Sequence, residues 1–377
     1  MSILGNIGGK ILSIMKNIFI LLTWTAGIAL ILSAYCGYVN PQDSAKFAII
    51  GMIFPIALAA NLFFLLFWLI FKKWLMAVLV ILLLAACASP IATFSPVNIS
   101  PAVTSHRDST FKVLTYNVMN FDDLDSLTYK GENRTLRYIL DKDADFVIMQ
   151  EASAKIKMDK LEKIQPLMRE LSEKYPYREL KLRDIVILSK YPYSIDDDNI
   201  TSNAPHKSTA YKINVNGKDL YIIGVHLESI KLTESDKALY REITDISKST
   251  GNLNEKMMED IKSNLLTKLS AAFKRRAVQA EDLKAYINSL GNGSVILCGD
   301  FNDTPSSYSY RTIKGDDMND AYKECALGPA ITFHTNRFYF RIDHILYKGG
   351  IEAVDIERGN LKSSDHYPLL TTFRWKQ

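Results

Sequence analysis

The stretch Val295-Ile296-Leu297-Cys298-Gly299-Asp300-Phe301-Asn302 passes from four apolar residues straight into a glycine, an acid and an amide. A short apolar run of this kind fits a strand buried on both faces. Its polar tail then lies at the end of the strand, where a side chain is held rigidly and can still meet a ligand. Asp and Asn also suit plain turns, so the stretch is informative only if other strands end the same way.

They do. Phe111 to Tyr116, Asp145 to Met149 and Asp184 to Leu188 have the same buried-strand character, and the first two lead into Asn117 and Gln150-Glu151. Tyr211 to Val215 and Asp219 to Val225 flank Asn216-Gly217, a dipeptide that tolerates positive φ at both positions, so they predict a hairpin whose second strand carries His226. Between Leu232 and Leu290, Leu265, Leu269, Phe273, Val278 and Leu283 recur at roughly helical spacing, and Gly291-Asn292-Gly293 ends the pattern. Within that region Arg275 to Leu290 is expected to pack on a sheet and Lys231 to Asn254 to form a polar excursion. Strands alternating with helices make a mixed α/β domain. Arg341-Ile342-Asp343-His344 and Ser364-Asp365-His366-Tyr367-Pro368 add two polar clusters near the C-terminus.

These acids, amides and histidines favour a particular kind of ion. Hard cations such as Mg²⁺ take oxygen ligands, keep several waters and are held by one or two carboxylates plus phosphate oxygens. Glu151, Asp365 and Asn117 suit that chemistry, with Mn²⁺ or Ca²⁺ as alternatives. Zinc would favour histidine and cysteine at short spacing, and the six histidines and four cysteines form no such pair.

The ordered set Asn117, Gln150-Glu151, His226, Gly299-Asp300-Phe301-Asn302, Asp343 and Ser364-Asp365-His366 resembles the endonuclease/exonuclease/phosphatase superfamily, whose members are deoxyribonuclease-I-like. Ile187 to Pro192, His226 to Ser229 and Arg276 to Leu283 support the likeness, which spans nearly all of residues 111–377. The resemblance implies an α/β four-layer sandwich: two packed mixed β-sheets flanked by helices, with the site at one end of the sheets. It implies a metal site at Glu151, with Asn117 and Asp365 binding or orienting the ion or its waters. Asp300 and Asn302 should orient the attacking water and a phosphate oxygen. His366, held in tautomer by Asp343, should sit against the phosphate, and His226 should hydrogen-bond a phosphate oxygen or protonate the leaving group. The sequence reveals no carboxylate partner for His226. His344, Ser364 and Cys298 read as packing or supporting groups. Each polar residue could alone be a turn former or a satisfied core group; their order as a set favours chemistry.

The N-terminal part is different. From Met1 to about Thr104 long apolar runs dominate, and the change of composition falls near residues 98–110. A helix crossing about 30 Å of hydrocarbon needs about 20 apolar residues, and 17–39, 47–71 and 74–94 qualify. Residues 1–104 are therefore expected to be a membrane anchor with three transmembrane helices, and 105–377 the catalytic domain. Lys10 and Lys16 precede the first run and Lys72-Lys73 follow the second, which puts those ends in the cytoplasm against a single Lys46 on the link between them. The expectation is a multi-pass protein of a bacterial inner or plasma membrane with an extracytoplasmic catalytic domain. A cleaved signal peptide is disfavoured because no small-residue cleavage site is evident and two further runs follow. Leu84-Ala85-Ala86-Cys87 resembles a lipoprotein processing box but lies far from the N-terminus. No charge falls at mid-span, which argues against an ion pathway.

A net charge of +4, with cations interspersed among acids, does not indicate nucleic acid; Lys181, Arg183, Lys190 and Lys207 are loose candidates for such contacts. Cys36 and Cys87 lie in apolar runs, Cys298 in a strand and Cys325 in an expected loop, and all four read as free or structural. The expected partners are a phosphodiester substrate, on a nucleic acid or a lipid headgroup, and the bilayer itself; no obligate protein partner is evident. The competing class is a catalytically inactive, membrane-tethered binding or scaffolding module, against which the full set of acids and histidines argues.

Overall fold

In the computed structural model the described residues are 2–98, 110–124, 133–152, 158–178, 184–196, 208–231, 255–335 and 339–376. Twelve strands are named among them: β1 (Thr110–Asn117), β2 (Phe146–Gln150), β3 (Tyr177–Arg178), β4 (Val186–Ser189), β5 (Tyr193–Ile195), β6 (Ser208–Val215), β7 (Lys218–His226), β8 (Ser294–Asp300), β9 (Asn319–Asp320), β10 (Asp343–Lys348), β11 (Ile351–Arg358) and β12 (Leu369–Trp375). They form two six-stranded sheets, ordered β11-β12-β1-β2-β4-β3 and β5-β6-β7-β8-β10-β9. Each sheet has one parallel pair at its centre, β1 with β2 and β7 with β8, and its other pairings are antiparallel. The predicted hairpin joins β6 to β7 through Asn216 and Gly217, both at positive φ.

Alternation along the strands sorts side chains between two cores. Val113, Ile148 and Ile187 of the first sheet meet Ile222, Ile296 and Cys298 of the second. At Gly224 the sheets come so close that a Cβ would lie 2.6 Å from Ile185 Cγ2. The outer face of the first sheet is covered by α6 (Arg134–Lys142) and α7 (Met158–Lys174), with Ile139, Leu140, Leu167 and Leu171 against Leu114, Val147 and Leu188. The second is covered by α8 (Glu255–Ser289) and α9 (Tyr308–Lys314), with Leu283, Ile287 and Ile313 against Val225, Val295 and Leu297. This is the expected four-layer sandwich. The long predicted helix begins at Glu255; residues 232–254 of the expected polar excursion lie outside the described residues. Cys325, expected in a loop, closes the short helix α10 (Ala321–Cys325), and the four cysteines are free.

The N-terminal helices are α1 (Ser2–Ala34), α2 (Pro41–Gly51), α3 (Phe54–Ile70), α4 (Trp74–Ala86) and α5 (Ala88–Phe94). One helical stretch, Ser13–Tyr38, is long and apolar enough to cross a membrane, with mean hydropathy 2.0. The second and third apolar runs form bent pairs, α2 with α3 at 47° and α4 with α5 at 68°, each apolar enough to cross if the pair is one broken span. Proline explains both bends. Pro55 and Pro90 lack the N–H that would bond the carbonyl four residues back, and their rings clash with it; those carbonyls belong to Gly51 and Ala86, where α2 and α4 end. The link expected at Asn40 to Lys46 is helical apart from a kink at Ser44 (φ −156°, ψ 100°): Pro41 occupies the first turn of α2 and Asn40 caps it, accepting from Gln42 N at 2.9 Å.

This N-terminal part is bonded to the sandwich. Cys36 Sγ donates to Ser306 O at 3.2 Å, Asn40 Nδ2 to Glu281 Oε1 at 2.9 Å, and Gln42 Nε2 to Lys274 O at 2.8 Å. Further along, Arg341 donates to Thr93 O and Asn98 donates to Lys323 O and Ala326 O.

Candidate functional site

Strand direction gathers the polar residues. Parallel β1 and β2 carry Asn117 and Glu151 at their C-terminal ends, and parallel β7 and β8 likewise carry His226 and Asp300, which face each other in register. β10 runs antiparallel to β8, so its first residue, Asp343, pairs with Asp300. β12 runs antiparallel to β1, so Asp365 and His366, just before it, arrive at the same end. β4 runs antiparallel to β2, so Asp184, two residues before it, does too. One end of the sandwich therefore collects the eight residues singled out in the sequence, together with Asp184.

Local backbone geometry holds them there. Glu151 sits at φ 51° and Asn302 at φ 50°, left-handed conformations that cost a side-chain-bearing residue about 1–3 kcal/mol and persist where the surroundings enforce them. Gly299 sits at φ 144°, and a Cβ there would fall 2.0 Å from Val225 O, so the residue before Asp300 has to be glycine.

Asp300 is the hub. It is buried; its Oδ1 accepts from Asn302 N at 2.7 Å and its Oδ2 from Asn117 Nδ2 at 3.1 Å. The same Oδ2 lies 3.9 Å from His226 Nε2 and 3.6 Å from His366 Nε2. Asn117 also donates to Glu151 Oε1 at 3.1 Å, while its own oxygen accepts from Met119 N; in this orientation the amide presents N–H to both acids. Asn302 Nδ2 donates to Leu227 O at 3.0 Å. Ser364 Oγ donates to Asn117 O at 2.7 Å and accepts from His366 N at 3.2 Å, tying the β12 approach to β1.

Each histidine has its own carboxylate. His366 Nδ1 lies 2.8 Å from Asp343 Oδ2, the expected partner. His226 Nδ1 lies 2.7 Å from Asp184 Oδ2, a partner the sequence reading did not find. In both, the carboxylate holds the proton on Nδ1 and turns Nε2 toward Asp300. Burial opposes a charge on His366, but the Asp343 and Asp300 carboxylates outweigh it and raise the imidazole to about 10. Burial pushes Asp300 and Glu151 up from the ordinary carboxylate range, against the pull of His366 on the first and of Asn117 and His226 on the second. The supporting histidine behaves differently: burial, reinforced by Arg341, holds His344 down to about 3, and its Nε2 donates to Asp303 O at 2.9 Å. Asp303 is itself paired with buried Arg276 at 3.1 Å.

The donor set suits a hard cation. Four carboxylates line one cavity of about 370 Å³; Asp303 is taken by Arg276, while among the described residues Glu151, Asp300 and Asp365 have no such cation, and burial and mutual repulsion raise Glu151, so a positive ion among these three would relieve both. Among the described residues, Asp300, Asp343 and His366 form a group whose ligand atoms lie within 4.8 Å of one another. That trio is the weaker choice, because the short Nδ1 contact between His366 and Asp343 is a proton-sharing pair that an ion would have to break. Of the loose candidates for nucleic-acid contact, Lys190 is paired with Asp143 at 2.8 Å and Asp145 at 3.4 Å, and Lys181, Arg183 and Lys207 lie outside the described residues.

Comparison with known proteins identifies the family. Residues 114–366 match the Endonuclease/Exonuclease/phosphatase family, and residues 16–94 match a domain of unknown function. No curated protein matches. Among solved structures, an endonuclease/exonuclease/phosphatase from Bacteroides vulgatus is 18% identical over 71% of this chain and 100% of its own, with a TM-score of 0.44. D. rerio TDP2 complexed with single-strand DNA product is 15% identical over 71% of this chain and 100% of its own, TM-score 0.46. Truncated Caenorhabditis elegans TDP2 is 14% identical over 70% and 98%, TM-score 0.43.

Proposed function

The chain belongs to the endonuclease/exonuclease/phosphatase family, and from that premise we propose that it is a membrane-anchored, divalent-metal-dependent hydrolase of phosphodiester bonds. The observation that carries the reading is the pair of carboxylate-held imidazoles, His226 with Asp184 and His366 with Asp343, each turning Nε2 to within 4 Å of Asp300. Glu151 and Asp365 would hold the ion, Mg²⁺ in the first instance, and Asn117 would set the carboxylates around it. Bound there, the cation supplies positive charge against the phosphoryl oxygens. Asp300, fixed by Asn302 N and Asn117, orients the attacking water and takes its proton. His366, charged through its carboxylates, donates from Nε2 to a phosphate oxygen. His226 donates to a second oxygen or gives its proton to the leaving group.

The anchor reading is three passes with the catalytic domain outside the cytoplasm. Apolar side chains that water would not tolerate in such number support it: Leu21, Ile56, Leu75 and Leu82 are each more than 60% exposed. Lys72 and Lys73 lie at the turn between α3 and α4, while the sandwich contacts residues 36–52 and 93–98 at the far ends of the helices.

The test is turnover of bis-p-nitrophenyl phosphate by the full chain in detergent, with Mg²⁺, Mn²⁺ or Ca²⁺. Asp300→Ala and His366→Ala are each expected to lower kcat by about 10²-fold or more. Well-folded protein that is inactive with all three ions would favour the binding-module reading.

A further inference from the structure

Resting on the phosphodiesterase reading above, we infer that the substrate is a membrane lipid whose phosphodiester headgroup enters the site while an acyl chain lies along an apolar wall completed by the membrane anchor. The cavity over the site has two unlike sides. Glu151, Asp300, Asn302, Asp365 and His366 form the polar floor, whereas Met52, Ile230, Leu265, Leu269 and Phe273 form an apolar wall. That wall is built jointly, because Ala48, Ile49 and Met52 of the anchor pack with Leu265, Leu269 and Phe273 of α8. Met52 lies in the two-residue break between α2 and α3. Just beyond it Ile53 is 41% and Ile56 73% exposed, so the apolar surface leads from the acids to the first turn of α3, on a face suited to hydrocarbon rather than water.

The charges of the cavity point the same way. A nucleic acid needs cations along its backbone beyond the scissile phosphate. Among the described residues lining this cavity the lysines and arginines are Lys231 and Arg276. Lys231, its side chain 70% exposed, pairs with Glu228 at 2.9 Å and buried Arg276 with Asp303 at 3.1 Å, so among the described residues no row of cations lines this cavity. One anionic ester beside a long apolar surface is the composition of a phospholipid. The reaction balances with water alone: its oxygen bonds to phosphorus, one P–O ester bond breaks, and the departing alcohol oxygen receives the proton.

The full chain in mixed micelles is offered phosphatidylethanolamine, phosphatidylglycerol, phosphatidylcholine and sphingomyelin, beside the deacylated glycerophosphodiesters, a single-stranded oligonucleotide and bis-p-nitrophenyl phosphate. At least one intact lipid should be cleaved with kcat/KM about tenfold or more above its deacylated counterpart and above the oligonucleotide. Met52→Gln and Leu265→Gln should lower lipid turnover about tenfold more than turnover of bis-p-nitrophenyl phosphate, and Met52→Leu should restore it. Turnover of bis-p-nitrophenyl phosphate with none of the four lipids cleaved, or with the deacylated ester or oligonucleotide cleaved as fast as the lipid, overturns the lipid assignment and leaves the hydrolase intact. Loss of all metal-dependent turnover by folded protein overturns the hydrolase reading, and the lipid assignment with it.

Discussion

In the proposed mechanism Asp184 would act on substrate only through His226, which it holds at 2.7 Å. In Asp184→Asn the amide no longer holds the imidazole as its carboxylate does, so kcat is expected to fall about 10- to 100-fold. KM should stay within about twofold of wild type and Tm should be unchanged, a split that steady-state kinetics and a melting curve separate from a merely structural effect. The residue was hard to find in sequence for a physical reason. It lies just before a strand of the first sheet and His226 ends a strand of the second, and nothing in a linear pattern states how two sheets are aligned. The acid that opens the predicted strand Asp184 to Leu188 was the available signal. Asp343 and His366 also lie at strands of different sheets, and that pair was expected only through the resemblance of the ordered motifs to the family. Gly299 is the other decisive residue: Gly299→Ala should be destabilised by a Cβ that would overlap Val225 O, seen as a lowered urea midpoint.

Among the elements, the buried pair Asp320 and Arg341 fastens β9 to the approach to β10, at 3.2 Å. Burial would raise the Asp320 carboxyl, but Arg341 outweighs it and holds it below its ordinary value. A depressed carboxylate stabilises the fold above its unfolded value, near pH 3.9, and that contribution is lost as pH falls through the lower folded value. Stability is thus expected to drop on acidification below about pH 4, and Asp320→Asn should flatten that part of the profile. Arg341→Met, which strands the acid, should cost about 3–5 kcal/mol at pH 7, read by urea denaturation. The strands, hairpin and long helix were legible because apolar period and turn chemistry are local properties. The bends inside the second and third apolar runs were not legible: hydropathy counts apolar residues, whereas Pro55 and Pro90 act through single hydrogen bonds.

At the scale of the whole molecule, sequence separated an apolar part from a globular one but could not show that they share a cavity wall, since Met52 and Leu269 meet only in the folded chain. Three passes with the sandwich outside make a direct expectation: in intact bacterial cells a membrane-impermeant maleimide should label Lys362→Cys, and should label Lys72→Cys only after lysis. The reverse pattern would invert the topology. The central claim is that these acids and carboxylate-held histidines hydrolyse a phosphodiester with a bound cation. It is tested most directly by turnover of bis-p-nitrophenyl phosphate by the full chain before chelation, after chelation and during Mg²⁺ add-back, beside Glu151→Gln. The account expects activity to vanish on chelation, to return with Mg²⁺, and to require at least about tenfold more Mg²⁺ in Glu151→Gln; turnover that survives chelation, or a variant with a wild-type Mg²⁺ requirement, would contradict it.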